Sequence, residues 1–184
     1  MEDLYRNKYR VSSARLSTWD YGSHGLYFVT ICTTDRVPYF GEIENQNISE
    51  TQSIASLRET EIGKIAGQNW ENIPTFHPYV ELDDFTVMPD HIHRILFINK
   101  PNKISWDIDK FGPQRNNLAS IIRGYKSSVQ TYATTHDIEF SWQARYYDRV
   151  IRNEKEHLSI INYIRDNPDQ WYLNKNNFEN LFIP

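Results

Sequence analysis

The sequence predicts an α+β fold, in which an antiparallel sheet carries two crossover helices on one face and an additional helix near the C-terminus. Short runs rich in β-branched and aromatic residues are typical of strands, and longer stretches with apolar residues at helical spacing are typical of helices. Along the chain these elements follow the order strand, helix, strand, strand, helix, strand, and then a final helix. That order is the order of the ferredoxin-like arrangement.

The first half of the chain is predicted to supply three strands and one helix. The β-branched run from His24 to Thr33 predicts the first strand, and the apolar spacing from Ser53 to Trp70 predicts a helix. The segments from Tyr79 to Val87 and from His91 to Ile98 predict two paired strands joined by the tight connection at 88–90.

The second half is predicted to hold a loop, a helix, a strand and the closing helix. The polar segment from Lys100 to Gln114 predicts a surface loop. A helix from about Asn116 to Thr134 carries one apolar stripe, formed by Leu118, Ile121, Ile122, Tyr125, Val129, Tyr132 and Ala133. The segment from Phe140 to Ile151 predicts the last strand, and the segment from Glu154 to Asn167 predicts the closing helix, capped by Asn153 and stopped by Pro168.

The composition predicts one globular domain over residues 1–184, with 1–20 as a basic N-terminal arm and 154–184 as the C-terminal helix and tail. Hydrophobic residues make up 39% of the 184 and aromatic residues 14%, which excludes a disordered chain. The single cysteine, Cys32, excludes an internal disulfide and a thiolate-rich metal site. No apolar run approaches the roughly 20 residues of a membrane span, and the N-terminus lacks the apolar core of a secretory signal. We therefore expect a cytoplasmic protein that does not bind membranes.

Charge is distributed unevenly along the chain. The formal net charge of -4 gives no global attraction to phosphate. Between Tyr5 and Leu16, however, the only charged residues are the basic Arg6, Lys8, Arg10 and Arg15. This arm could follow a phosphate backbone or could be a solvated arm with no specific role, and charge alone does not decide between them.

His91 and His93 are the candidate metal ligands. Successive side chains of a strand point to opposite faces, so these two project from the same face, about 7 Å apart along the chain. Neutral imidazole nitrogens are common metal ligands. Two half-buried histidines that only hydrogen-bond to their neighbours are the alternative, and the spacing alone leaves both interpretations open.

A tyrosine beside such a metal site could cut DNA without water. Its oxygen would attack phosphorus in line and leave a phosphotyrosine, which conserves the bond energy for later rejoining. A divalent ion held by the two imidazoles would stabilise charge on the phosphate oxygens. Mg²⁺ or Mn²⁺ suits such oxygen-rich substrates.

Several spaced motifs resemble the REP-associated tyrosine transposases, which are single-tyrosine transposases of the HUH superfamily, similar to IS200 transposases. They are VMPDHIHRILFI, GYKSSVQTYA and WQARYYDRVIRNEKEHLSIINYIRDNPDQW, in this order, with ARLSTWDYGSHGLYFVTICT upstream. The resemblance runs from Ala14 to Trp171 and implies a ferredoxin-like fold. It implies His91 and His93 as metal ligands and Tyr125 as the nucleophile. The alternative for Tyr125 is a core tyrosine on the apolar stripe of its helix, and Tyr132, Tyr146 and Tyr147 are rival candidates for the nucleophile.

The resemblance also raises a question about the third metal ligand. Related single-tyrosine transposases often place it, as an amide or a histidine, one helical turn after the nucleophile. One turn after Tyr125 this chain has Val129, and neither Gln130 nor the pair Asp83 and Asp84 offers a convincing substitute.

Cations and flat rings late in the chain are candidate DNA contacts. Such residues can bind phosphates and unstacked bases. Ordinary strand packing with solvated arginines is the alternative. The candidates are Lys126, Trp142, Arg145, Arg149 and Arg152.

The function implied by the resemblance is DNA transposition by a metal-dependent strand transferase or nickase. It would act through a 5′-phosphotyrosine on hairpin-forming repeat DNA whose guide sequence is read as a single strand. Two other functions stay open, a non-catalytic single-stranded nucleic-acid-binding module and a hydrolytic metal-dependent phosphoesterase. Some single-tyrosine relatives are dimers that share active sites, so a homodimer is compatible with the resemblance.

Overall fold

The computed structural model describes residues 18–49, 52–103 and 115–174 of the chain. Strands and helices account for most of them. In chain order the elements are β1 (Gly25–Cys32), β2 (Gly41–Ser49), β3 (Gln52–Glu59), α1 (Glu61–Glu71), α2 (Ile73–Phe76), β4 (Val80–Met88), β5 (His91–Ile98), α3 (Leu118–Thr135), β6 (Tyr147–Ile151) and α4 (Glu154–Asn174).

Four of the strands form the central sheet, in the spatial order β4-β5-β1-β6. All neighbouring pairs are antiparallel. Each central strand is joined to an edge strand by a crossover, β1 to β4 through α1 and β5 to β6 through α3, as the ferredoxin-like arrangement requires. The predicted fold class is therefore confirmed, including the additional C-terminal helix.

The sheet separates two layers of side chains. On one face Tyr27, Val29 and Ile31 of β1 pack with α1 and α3 into the larger hydrophobic core. On the other face Phe28 of β1 packs against α4 in a smaller cluster. Because side chains alternate along a strand, neighbouring residues of one strand belong to different layers.

The segment before α1 differs from the prediction. The helix predicted from Ser53 is a strand as far as Glu59, and β2 and β3 pair as an antiparallel hairpin. The helix begins at Glu61, after Thr60, whose side-chain oxygen accepts a hydrogen bond from the Gly63 amide. Thr60 thus caps the helix and marks its boundary.

The last strand and the last helix also differ in length from the prediction. Regular strand pairing covers only Tyr147–Ile151, and Trp142 makes an isolated bridge with Thr33. Helix α4 continues past Pro168 to Asn174. A proline removes one helical hydrogen bond, but Trp171 packs with Ile43 and Met88 beyond it, and this tertiary contact holds the additional turns.

Some predictions fall outside the described residues. The basic arm with Arg6, Lys8, Arg10 and Arg15 lies there, as do residues 104–114 of the predicted loop. Among the helices that the structure does describe, none has the length and apolar character needed to cross a membrane.

Candidate active site

His91 and His93 lie side by side on the α4 face of the sheet. Both are fully buried, and the distance between their two Nε2 atoms is 3.0 Å. Strand pairing places His93 opposite Thr30 of β1 and Thr86 of β4. The predicted projection of both histidines from one face is therefore what the structure shows.

The other ring nitrogens of the two histidines have oxygen partners. His91 Nδ1 lies 2.7 Å from Asp90 Oδ1, and His93 Nδ1 lies 2.9 Å from Thr30 Oγ1. An Nδ1–H that donates to these oxygens leaves the Nε2 lone pair of each ring free. The two Nε2 atoms are 3.0 Å apart, a distance at which they can share a hydrogen bond in one tautomer or a bound cation in the other.

Arg36 supports this pair of histidines from the loop after β1. Its Nε lies 3.0 Å from Asp90 Oδ2, and its guanidinium also donates to Cys32 Sγ at 2.9 Å. Asp35 and Arg36 both have positive φ angles, 50° and 59°. A non-glycine residue in this conformation costs energy, and such strain is commonly found at functional sites.

The histidines are held in the form that binds metals. Burial lowers the pKa of both imidazoles well below the ordinary value, because it disfavours the charged form. The positive charge of Arg36 lowers both pKa values further, and His91 adds to the effect at His93. The imidazoles are therefore neutral at neutral pH, with lone pairs available for a cation.

Tyr163 of α4 is the tyrosine that the fold brings to the histidines. Its hydroxyl lies 3.3 Å from His93 Nε2, and the two rings are 5.1 Å apart between centroids. The ring of Phe28 contacts both, at 5.5 Å from His93 and 6.3 Å from Tyr163. The helix thus places a phenol oxygen beside the two imidazole nitrogens.

Asn167 follows Tyr163 by one helical turn and is buried with it. Burial raises the pKa of Tyr163 to about 12, and a hydrogen bond with the Asn167 side chain opposes that rise. An amide can donate from its nitrogen and still offer its oxygen to a cation. Asn167 is therefore an amide one helical turn after a tyrosine, which is the type and spacing of residue that the resemblance associates with a third metal ligand.

Tyr125 is not at this centre, which corrects the assignment made from the sequence. It lies on the other face of the sheet, in the larger core, where it is only 3% exposed. Its hydroxyl donates to the carbonyl oxygen of Ala66 at 2.9 Å, and its ring packs edge-on against Trp70 at 5.1 Å. Burial raises the pKa of Tyr125 strongly. Tyr125 is a core residue in this structure. Because it lies away from the histidines, the position of Val129 one turn after it has no bearing on a metal bound there.

The sequence contained a signal for Tyr163 that the motif match on α3 obscured. In INYIRDNP the tyrosine is followed four residues later by an amide, and Ile160 and Ile164 mark the buried face of the same helix. Of the rival tyrosines, Tyr132 donates to Glu61 Oε1 at 2.7 Å, and Tyr146 packs against the larger core. Tyr147 faces α4 and lies 6.5 Å from Phe28.

The predicted DNA contacts are divided between packing and surface positions. Trp142 is half-buried against the larger core, and its indole nitrogen donates to the Lys126 carbonyl oxygen at 3.1 Å. The Lys126 ammonium itself donates to the carbonyl oxygen of Gln143 at 2.5 Å. Arg149 donates to Glu156 at 2.6 Å. The side chains of Arg145 and Arg152 are exposed.

The donor set fits a hard divalent cation bound through nitrogen and oxygen. The described residues contain no group of three His, Cys, Asp or Glu side chains that could hold a metal ion. His91 and His93 would offer two imidazole nitrogens to such a cation, and the Asn167 side chain would offer an amide oxygen. A metal held by only a few protein ligands keeps coordination positions free for oxygens of a substrate. Mg²⁺ is usually bound in this way.

Comparison with known proteins finds one curated relative and a related fold. No family model matches the chain. An uncharacterized protein of Haemophilus influenzae (strain Rd) is 35% identical over 169 residues, which cover 86% of this chain and 88% of that protein. The solved structure of a REP-associated tyrosine transposase bound to a REP hairpin superposes with a TM-score of 0.51 at 19% identity, over 79% of this chain and 67% of that chain.

Proposed function

Because this chain belongs to the same family as the Haemophilus influenzae protein and has the fold of the REP-associated tyrosine transposase, we propose that it is a metal-dependent DNA strand transferase. Its nucleophile is Tyr163, and its metal ligands are His91, His93 and Asn167. One observation carries the proposal: a phenol, its amide partner and the Nε2 atoms of two neutral imidazoles meet on one face of the sheet.

The reaction is a transesterification at phosphorus. The bond between the Tyr163 oxygen and phosphorus forms as the bond from phosphorus to the 3′ oxygen breaks. The phenol proton ends on the departing 3′ oxygen, so no water is consumed. The reverse reaction, with another 3′ hydroxyl, joins strands and releases the tyrosine.

Residues of the chain prepare the phenol for this attack. The Asn167 hydrogen bond stabilises the phenolate, whose formation burial disfavours. The helix holds the Tyr163 oxygen near the histidines before DNA arrives, which lowers the entropic cost of attack. Mg²⁺ or Mn²⁺ bound by these ligands would polarise the scissile phosphate and stabilise its developing charge.

The proposed substrate is single-stranded DNA that folds into hairpins. The solved transposase with the same fold is bound to a REP hairpin. We extend that substrate class to this chain, with transposition as its role. The homodimer considered from the sequence stays a prediction.

The decisive experiment compares Tyr163→Phe with Tyr125→Phe. Each purified variant is incubated with Mn²⁺ and a labelled hairpin oligonucleotide that has single-stranded flanks, and covalent adducts are separated on a denaturing gel. The wild type and Tyr125→Phe should form an adduct, because Tyr125 lies on the other face of the sheet. Tyr163→Phe should bind the hairpin and form none.

The controls separate this proposal from its rivals. An adduct in Tyr163→Phe would overturn the assignment of the nucleophile. Cut DNA without an adduct in the wild type would indicate a phosphoesterase. Binding that is unchanged by EDTA, with neither cleavage nor adduct, would indicate a non-catalytic module.

A further inference from the structure

A groove of about 680 Å³ runs along the outer edge of β6 and the first turns of α4. Its lining includes three basic residues, two acidic residues and two tyrosines. They are Arg149, Arg152, Lys155, Asp148, Glu156, Tyr21 and Tyr147. The site of strand transfer uses none of them.

The groove carries cations that the fold does not neutralise. Glu156 accepts hydrogen bonds from the Arg149 side chain at 2.6 Å and from the Arg152 backbone amide at 2.9 Å. The Arg152 and Lys155 side chains are exposed, and neither makes a hydrogen bond or salt bridge within the described ranges 18–49, 52–103 and 115–174. Two exposed cations that line a groove are suited to bind phosphates spaced along a chain.

The groove leads to the candidate active site. Tyr147 lines the groove, and its ring centroid lies 6.5 Å from that of Phe28. Phe28 in turn stacks on His93 at 5.5 Å and meets Tyr163 at 6.3 Å. One aromatic ring therefore separates the groove from the phenol that attacks phosphorus.

The occupant that matches these features is a single strand of DNA. A basic groove with a partly exposed flat ring is the usual way to bind a single strand, because every base can stack on the ring. Within the described residues β6 pairs with β1 alone, so its other edge is open to the groove. An open edge could also pair with a second copy of the chain, but the basic residues beside it disfavour a like-charged neighbour.

We propose that this groove binds the sugar-phosphate backbone of the single-stranded segment that flanks the scissile phosphate. Arg152 and Lys155 contact successive phosphates, and Tyr147 stacks on the base nearest to Tyr163. The inference rests on the proposed function, since it assigns a path to the DNA that the active site would cut.

The test measures DNA binding as a function of salt in a Tyr163→Phe background, where no strand is cut. Arg152→Gln is combined with Lys155→Gln, and the matched control combines Lys64→Gln with Arg115→Gln, two exposed cations elsewhere. The probes are a labelled hairpin with a single-stranded flank and the same hairpin without it. For the flanked hairpin, loss of two single-strand phosphate contacts should lower the slope of log K against log salt by about 1.4.

The control pair should leave that slope unchanged. The unflanked hairpin should bind the groove variant and its parent equally. An unchanged slope for the flanked hairpin would overturn the proposal. So would a groove variant that sediments as a monomer where its parent is a dimer, since the edge would then be a protein interface. The adduct assay on the wild type is independent, so failure of the groove and failure of the strand transferase give different results.

Discussion

Arg94 is the residue whose burial is least compensated. Its side chain is fully buried, and none of its three guanidinium nitrogens has a hydrogen-bond partner in the part of the chain that the structure describes. The guanidinium carbon lies 3.9 Å from the Phe85 ring centroid and 5.3 Å from that of Trp70. Burial lowers the pKa of Arg94 to about 10. The two rings offset only part of the cost of removing a cation from water.

We predict that Arg94→Met stabilises the protein. Methionine fills a similar volume without a buried charge, and exchanges of this kind have raised stability by about 1–4 kcal/mol. The free energy of unfolding from urea titration measures the change. Lys64→Met on the exposed face of α1 is the control and should change it by less than about 0.5 kcal/mol. Destabilisation by Arg94→Met would contradict the argument.

The start of α1 depends on a glycine for its packing. A Cβ atom added at Gly63 would lie 2.2 Å from the carbonyl oxygen of Phe40, which is backbone and cannot move aside as a side chain could. At Gly67, in the same helix, an added Cβ would meet nothing within 4 Å. Substitution at Gly67 therefore measures helix propensity alone, and substitution at Gly63 also measures the cost of the close contact.

Gly63→Ala and Gly67→Ala should change stability in opposite directions. Alanine favours a helix over glycine by about 1 kcal/mol, and Gly67→Ala should gain up to that amount. Gly63→Ala should lose about 1–3 kcal/mol, because the helix must shift away from Phe40. Thermal unfolding of both variants measures the difference. A stabilised Gly63→Ala would show that the contact is looser than the structure has it.

Two side-chain contacts fix α4 to the edge of the sheet. The register of β4 shifts between Leu82 and Phe85, and this irregularity holds Asp83 and Asp84. Asp83 Oδ2 lies 2.6 Å from His157 Nε2, and Asp84 Oδ2 lies 2.9 Å from Arg165 Nη2. These contacts lie on either side of Tyr163 along the helix and so help to set its position.

We expect Asp83→Asn combined with Asp84→Asn to slow adduct formation by about 10- to 100-fold, because small misplacement of a reacting group has that scale of effect. The affinity for hairpin DNA should change little, since neither aspartate lines the groove. Single-turnover kinetics with a binding titration separates rate from affinity. Glu42→Gln, which removes the exposed pair with Arg58, is the control. A loss of affinity without a change in rate would refute a positioning role.

The elements that sequence periodicity predicted well are those with one regular pattern, such as β5 and α3. The missed hairpin shows where periodicity fails. Ile54 and Leu57 belong to β3, and Ile62 belongs to α1, yet together they satisfy the spacing of a single helix. The boundary depended on the cap at Thr60 rather than on apolar spacing. The length of α4 depended on contacts of Trp171, which are remote in sequence.

At the scale of the whole molecule, the sequence predicted the histidine pair of the candidate site but not the tyrosine beside it. The two histidines share a face because of local strand geometry, which the sequence contains. Tyr163 reaches His93 across 70 residues, and that contact depends on which face of the sheet α4 covers. Periodicity identifies the buried face of a helix but not the surface that this face packs on. Periodicity therefore could not decide whether a tyrosine of α3 or one of α4 contacts the histidines.

A metal bound between β5 and α4 should stabilise the entire fold. A ligand that binds only the folded state raises stability by RT ln(1 + [L]/Kd), so Mn²⁺ should raise the melting temperature of the wild type. Asp90→Asn replaces the carboxylate that contacts His91 Nδ1 with a neutral amide. The Mn²⁺ concentration that gives half of the rise in melting temperature should therefore increase by about 10- to 100-fold. Tyr125→Phe should respond to Mn²⁺ as the wild type does. If Asp90→Asn and the wild type needed the same Mn²⁺ concentration for half of the rise in melting temperature, that result would contradict this metal site.

The unequal size of the two clusters beside the sheet has a consequence for motion. The cluster under α4 contains five fully or nearly buried residues, Phe28, Ile95, Ile151, Ile160 and Ile164, whereas the core under α1 and α3 is much larger. Helices held by fewer buried contacts open locally at lower free energy than the rest of a fold. The amide hydrogens of α4 should therefore exchange with solvent sooner than those of α3. We therefore expect α4, rather than α1 or α3, to be the helix that moves when a DNA strand reaches the buried His91 and His93.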